Sequence, residues 1–239
     1  MIRLFPYYGS KIKAASKYPQ APPGWTIVEP FAGAAGYSCR YPDREVHLYD
    51  ADPIICGVIN HLIKSKPNDI LGLPILKGNQ TVDDFNISKD EKALIGFWLN
   101  NGSASPKKRL STWGRMQQDD LPSNLWGERC RARLATVVER ISHWTCINAS
   151  YKDIKTFNFD PYHTVWFVDP PYVGAGKYYK HSCNNIDYEH LGYWCKTLRG
   201  KVIVCENLGA EWLPFEDLYH MRGAAKGRKQ SIEAIWTNS

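Results

Sequence analysis

The sequence predicts an α/β fold, a mainly parallel sheet with an antiparallel edge hairpin and an inserted, mostly helical lobe. Three observations carry this. Short apolar, β-branched runs alternate with segments of helical periodicity, the pattern of strand–helix–strand units. Several of those runs end in an acid, a proline or a glycine, as strands do where a parallel sheet presents a ligand. Between them, from Lys64 to about Trp144, the character changes to helical and basic. At 239 residues the chain suffices for one large domain carrying an inserted lobe. We expect a core of 1–63 and 145–239, with 64–144 inserted.

Taken in order, Phe5-Pro6-Tyr7-Tyr8-Gly9-Ser10-Lys11 is an arm that runs aromatic, then flexible, then cationic. Trp25 to Val28 reads as a first strand. It leads through Glu29-Pro30-Phe31-Ala32 into the small-residue loop Gly33-Ala34-Ala35-Gly36, where glycines let a ligand approach the backbone. This pair falls short of a full dinucleotide fingerprint, and a tight turn explains it equally well. Glu45 to Asp50 is a second strand ending in an acid. Asp50 is placed for ribose hydroxyls, while either Asp50 or Asp52 is placed to cap the next helix. That helix opens at Pro53 and carries Ile54, Ile55, Val58, Ile59, Leu62 and Ile63 at helical spacing.

In the inserted region Ser88 to Asn101 reads as a helix with a Ser88/Glu91 capping box. The segment Gly102 to Pro122 is a turn-rich basic loop holding Lys107, Lys108, Arg109 and Arg115, with Trp113 among them. A second helix is expected from Ser123 to His143, bearing Arg129, Arg131, Arg133 and Arg140. A basic, aromatic loop suits a phosphate backbone and unstacked bases. A solvated basic face accounts equally well for any one of these cations. The formal net charge of +6 is compatible with a nucleic-acid partner without requiring one.

Cys146 to Tyr151 returns to strand character. Thr164-Val165-Trp166-Phe167-Val168 is a buried strand, followed at once by Asp169-Pro170-Pro171-Tyr172. The two prolines fix their own φ and hold Asp169 and Pro170 extended. A carboxylate, a proline carbonyl and an aromatic ring are thus presented together at a strand end. Gly174 to Tyr179, with Tyr178, is a glycine-hinged loop suited to closing over a substrate. Asp187 caps a helix Tyr188 to Leu198 ended by Gly200, and Lys201 to Asn207 is another strand. Leu218 to Met221 and Ile232 to Thr237 form a closing hairpin around a basic loop.

Seven scattered cysteines with no Cys-x-x-Cys pair read as reduced thiols of a cytoplasmic protein. The local set His181, Cys183, His190 and Cys195 fits no standard zinc spacing, and no metal is expected. The first residues lack the apolar stretch of a signal peptide, and no apolar run is long enough for a membrane span.

Three stretches, in this order, resemble the Dam-type (D12 class) DNA adenine-N6 methyltransferases. Phe5 to Lys11 is similar to the family's aromatic-x-Gly-x-Lys motif, Glu29 to Gly36 to its Pro-Phe-x-Gly-x-Gly loop, and Asp169 to Tyr172 matches its Asp-Pro-Pro-Tyr motif without a change. The resemblance implies a Rossmann-like class I methyltransferase sheet, S-adenosyl-L-methionine as cofactor and double-stranded DNA as partner, with 64–144 as the target-recognition lobe. It implies a monomer, or a weak dimer on DNA, in a bacterial or phage-infected cell. By the same resemblance Tyr7, Gly9, Lys11, Glu29, Pro30, Phe31, Ala32, Gly33, Gly36 and Asp50 hold the cofactor. Asp169, Pro170 and Tyr172 are catalytic. Pro171, Lys107, Lys108, Arg109, Arg115 and Tyr178 face the DNA. Two departures stand out. Tyr7 occupies a place often held by Trp, and the acidic residue expected near the cofactor's adenine falls on Ser150, with Asp153 three residues on. The same carboxylate–carbonyl geometry would serve cytosine-N4 in DNA or adenine in RNA, and a catalytically silent DNA-binding relative would keep the basic lobe.

Overall fold

The computed structural model describes residues 2–100, 103–116, 122, 124–174, 183–221 and 231–238. Seven strands form one sheet: β1 (Thr26–Glu29), β2 (Val46–Asp50), β3 (Thr145–Asn148), β4 (Thr164–Val168), β5 (Lys201–Asn207), β6 (Glu216–Met221) and β7 (Ser231–Thr237). Their order is β3-β2-β1-β4-β5-β7-β6. β2 and β4 both run parallel to β1, and β5 runs parallel to β4. β7 runs antiparallel to both β5 and β6, which is the expected closing hairpin. The run β3-β2-β1-β4-β5 is the Rossmann strand order, with its switch point between β1 and β4. The expected Rossmann-like, mainly parallel sheet is therefore present.

Two compact units divide the chain. One holds Lys13–Ala32, Arg44–Ala51 and Ile147–Ser239, and contains most of the sheet. All five residues of β4 are buried, as a central parallel strand covered on both faces requires. On one face Trp166 and Val168 of β4 align with Val202 and Val204 of β5 and with Val28 of β1. Leu191 and Cys195 of helix α6 (Tyr188–Thr197) pack on them. Asp187 caps α6, its side chain accepting from the His190 amide at 3.0 Å. α6 closes against the segment before β6 at Gly192, where a Cβ would stand 2.7 Å from the Trp212 carbonyl oxygen.

The other unit holds Met1–Ile12, Gly33–Asp43 and Asp52–Cys146, and is mostly helical. Its helices are α1 (Pro53–Lys64), α2 (Pro67–Leu71), α3 (Lys89–Leu99), α4 (Thr112–Met116) and α5 (Glu128–Val138). The capping box is as expected, with the Glu91 amide donating to Ser88 Oγ and the Ser88 amide to Glu91 Oε2. Trp98 is the hub. Its indole donates to the Leu4 carbonyl at 3.2 Å, and the guanidinium groups of Arg3 and Arg133 lie over its ring at 5.3 and 5.0 Å.

Three expectations need correction. The helix read from Ser123 to His143 starts at Glu128 and ends at Val138, followed by a 3-10 turn over Glu139–Ile141. The reason is tertiary: the Trp126 amide and indole donate to the Trp98 and Pro74 carbonyls, holding 124–126 as a turn. The strand read from Cys146 to Tyr151 is Thr145–Asn148, because Ser150 and Asp153 close a capping box around a 3-10 turn. α4 was not expected within the basic loop.

Candidate active site at the carboxyl end of the sheet

In an open α/β sheet the switch point leaves a crevice beyond the carboxyl ends of the strands. The three adjacent strands β2, β1 and β4 end there in the residues the sequence singled out. β4 delivers Asp169, half-buried, and Pro170, buried. β1 ends at Glu29, 2% exposed, followed by buried Pro30 and a partly exposed Phe31. β2 ends at Asp50, also partly exposed.

Each end is pinned locally. The Ala32 amide donates to the Tyr49 carbonyl at 2.9 Å, tying the start of the loop after β1 to the residue before Asp50. The Asp50 carbonyl accepts from the Ala149 amide at 3.1 Å and from Asn148 Nδ2 at 2.8 Å. Capping of α1 falls to Asp52, which accepts from the Ile54 amide at 3.0 Å. The Phe31 ring rests on Tyr151 at 5.5 Å, and the Tyr151 hydroxyl pairs with His190 Nδ1 at 2.9 Å. Burial, then the nearby Asp187 charge, push that hydroxyl up to about 12.

The motif itself is held at three points. The Tyr172 hydroxyl donates to Glu233 Oε1. The Val173 amide donates to Glu206 Oε2 at 3.2 Å. The Tyr188 hydroxyl donates to the Pro171 carbonyl. Burial first, then the Asp169 charge, hold the Tyr172 phenol well above the usual tyrosine range, so it stays a donor. Glu206 is pushed above the usual carboxylate range by burial, against the pull of donors from the Asn207 amide, the Trp212 indole and the Val173 amide.

Within the helical unit the aromatic arm and the glycine loop meet. The Tyr7 ring packs edge-on to Phe5 and Phe97, at 6.2 and 5.8 Å. Gly33 has φ +49°, and a Cβ there would meet the Tyr7 ring at 3.3 Å. At Gly36 a Cβ would lie 3.0 Å from the amide nitrogens of Lys11 and Ile12. Lys11 Nζ donates to the Gly9 carbonyl at 3.1 Å.

The basic residues part company. Lys107, Lys108 and Arg109 are exposed on a segment lashed to α3, the Lys107 amide donating to the Gly96 carbonyl at 3.0 Å. Lys108 pairs with Asp83 at 2.8 Å. Arg115 turns back, donating to the Leu110 carbonyl at 2.9 Å and to Thr112 Oγ1 at 3.3 Å. Trp113 of α4 is 56% exposed. On α5 and the turn after it, Arg131 donates to the Leu71 and Leu73 carbonyls and Arg140 to Asp43. Tyr178 and most of the glycine-hinged loop lie outside the described residues. All seven cysteines are buried free thiols. Among the described residues no cluster fit to hold a metal ion occurs, and no helix is long and apolar enough to cross a membrane.

Sequence reading missed Glu206, Glu233, Tyr18 and Tyr188. A signal was there for the two acids: each stands in an otherwise apolar strand, where a carboxylate needs donors around it.

No protein-family model and no curated protein sequence matches the chain. Among solved structures it is similar to the rRNA methyltransferase aviRa from Streptomyces viridochromogenes, at 12% identity and a TM-score of 0.40, over 98% of this chain and 86% of that one.

Proposed function

We propose that this chain is an S-adenosyl-L-methionine-dependent methyltransferase acting on an exocyclic amine, the N6 of a flipped adenine in DNA. One observation carries the reading: an unaltered Asp-Pro-Pro-Tyr stands at the carboxyl end of β4, at the switch point of a Rossmann sheet, with its tyrosine hydroxyl bonded to Glu233. Motif, strand and position in the sheet agree.

The donor chemistry of the strand ends fits the cofactor. Asp50 offers a carboxylate at the β2 end for two ribose hydroxyls, and Phe31 offers a partly exposed ring, a face that suits a sulfonium cation. When bound, S-adenosyl-L-methionine supplies an electrophilic methyl group on sulfur. The chain's residues handle the amine. Its lone pair is delocalised into the base, which makes it a poor nucleophile. Asp169 accepts one N–H and the Pro170 carbonyl the other, which localises the lone pair and aims it. Tyr188 occupies the Pro171 carbonyl, the neighbouring acceptor, and so helps to set the direction of the one before it. Once nitrogen has gained the methyl group its surplus proton leaves by way of Asp169. Tyr172 stacks on the base, which must leave the duplex to reach the site. The exposed Lys107 and Arg109 supply phosphate contacts.

Labelled methyl transfer to unmethylated DNA and to RNA, followed by digestion to nucleosides, tests this. N6-methyl-2′-deoxyadenosine from DNA is expected. Methylcytosine alone, or label confined to RNA, would assign the amine to another base or polymer.

A further inference from the structure

At the antiparallel end of the sheet a second carboxylate is spent on the motif tyrosine. Glu233 of β7 stands opposite Asn207 of β5 and is 1% exposed. A buried carboxylate is costly unless donors surround it. Two phenols converge on one of its oxygens. Tyr18, from the segment before β1, donates at 2.6 Å, and Tyr172 donates to the same Oε1. The Tyr18 ring is itself set edge-on against Phe167 of β4 at 5.1 Å. Two remote pieces of chain, the segment before β1 and strand β7, thus meet the motif tyrosine at one carboxylate oxygen.

Stacking does not need that hydroxyl, since a phenylalanine ring offers the same face. Its role must lie elsewhere. A tyrosine ring turns about two bonds, and tying down its far end removes that freedom before any base arrives. We infer that Glu233, supported by Tyr18, is a positioning residue that sets the orientation in which the Tyr172 ring meets the target base. Glu206 does the corresponding work on the backbone one residue on, through the Val173 amide. Burial holds the Tyr18 and Tyr172 phenols above the usual tyrosine range, so both remain donors to Glu233 at neutral pH. This rests on the methyl-transfer reading above and adds to it a residue outside every motif.

The test measures kcat and KM for methyl transfer to unmethylated DNA with the full chain and four variants: Tyr172→Phe, Glu233→Leu, Glu233→Gln and the Tyr172→Phe/Glu233→Leu pair. Tyr172→Phe and Glu233→Leu should each lower kcat roughly tenfold, as small misplacements at a reacting centre do, with the cofactor KM held within about twofold. The double variant should be no slower than the slower single one, because both cut one linkage. Glu233→Gln keeps an acceptor oxygen and should recover most of the loss. Multiplying losses in the double variant, or a wild-type kcat in Glu233→Leu, would overturn the inference. If Glu233→Leu fails to fold, Tyr172→Phe decides: a slow Tyr172→Phe beside an active Glu233→Gln supports it, and a wild-type rate defeats it. A wild-type protein that methylates no nucleic acid would instead defeat the underlying function.

Discussion

Replacing Gly36 by Ala tests the junction of the aromatic arm and the glycine loop, because its φ is ordinary and its cost is purely steric. The added Cβ would sit 3.0 Å from two backbone nitrogens, those of Lys11 and Ile12, and 3.2 Å from the Lys11 carbonyl carbon. Backbone cannot swing aside as a side chain can, so the loop or the arm must shift. Overpacking of this kind costs about 1–3 kcal/mol. For a chain of this size each kcal/mol lowers Tm by roughly 2–4 °C, so Gly36→Ala should melt several degrees below the wild type. Two companions separate the causes. Gly78 has φ +56° with nothing within 4 Å, so Gly78→Ala reports the backbone cost alone, about 1–2 kcal/mol. Gly33→Ala combines a φ of +49° with the Tyr7 ring at 3.3 Å and should exceed Gly78→Ala. Calorimetric melting of the three variants gives the order. A Gly36→Ala variant that melts with the wild type would refute the close approach, and equal losses at Gly33 and Gly78 would refute the Tyr7 packing.

Three further outcomes follow from the titratable and charged groups. Tyr18 and Tyr172 are held above their ordinary range in the folded chain, chiefly by burial, so their contribution to stability is complete below about pH 10 and is lost as pH climbs from there toward the folded values. Each such hydroxyl steepens the alkaline fall by about 1.4 kcal/mol per pH unit. Tyr18→Phe should flatten it, as read from Tm against pH and from tyrosinate absorbance; an unchanged slope would contradict the buried pairing with Glu233. On nucleic acid, Lys107→Ala and Arg109→Ala should each reduce the salt dependence of DNA binding, by about 0.9 in log–log slope for every phosphate left without its cation. Arg115→Ala should instead loosen α4 and leave the slope alone, since its guanidinium is already committed to Leu110 and Thr112. Anisotropy titrations over a range of salt distinguish the two.

Much of the fold was legible because local signals and tertiary demands agreed. The apolar run Thr164 to Val168 could bury both faces only in a central strand, and Ser88, Asp187 and Pro53 marked helix starts that the structure keeps. Where a distant partner decided, the sequence was silent. Ser123 looked like a cap, yet Trp126 is tied to carbonyls of Trp98 and Pro74, and the helix starts only after Gly127. The arginines of α5 read as a basic face, but Arg131 and Arg133 turn inward to carbonyls and to Trp98, partners that no spacing rule reveals. Of the candidate site, the motif residues and Asp50 could be named from sequence because chemistry and position coincide at strand ends. The clamp around Tyr172 could not be. Tyr18, Tyr188, Glu206 and Glu233 lie in four separate segments and meet only through the sheet order.

The central claim is that Asp169 orients the reacting amine rather than shaping the fold. Labelled methyl incorporation into unmethylated DNA by Asp169→Ala, with calorimetric binding of S-adenosyl-L-methionine on the same preparation, tests it most directly. Incorporation should fall by at least about a thousandfold, the scale of losing a preorganised polar group at the reacting centre, while cofactor affinity stays within roughly tenfold of wild type, about 1.4 kcal/mol. An Asp169→Ala protein that binds the cofactor and still methylates DNA at a rate near wild type would contradict the account.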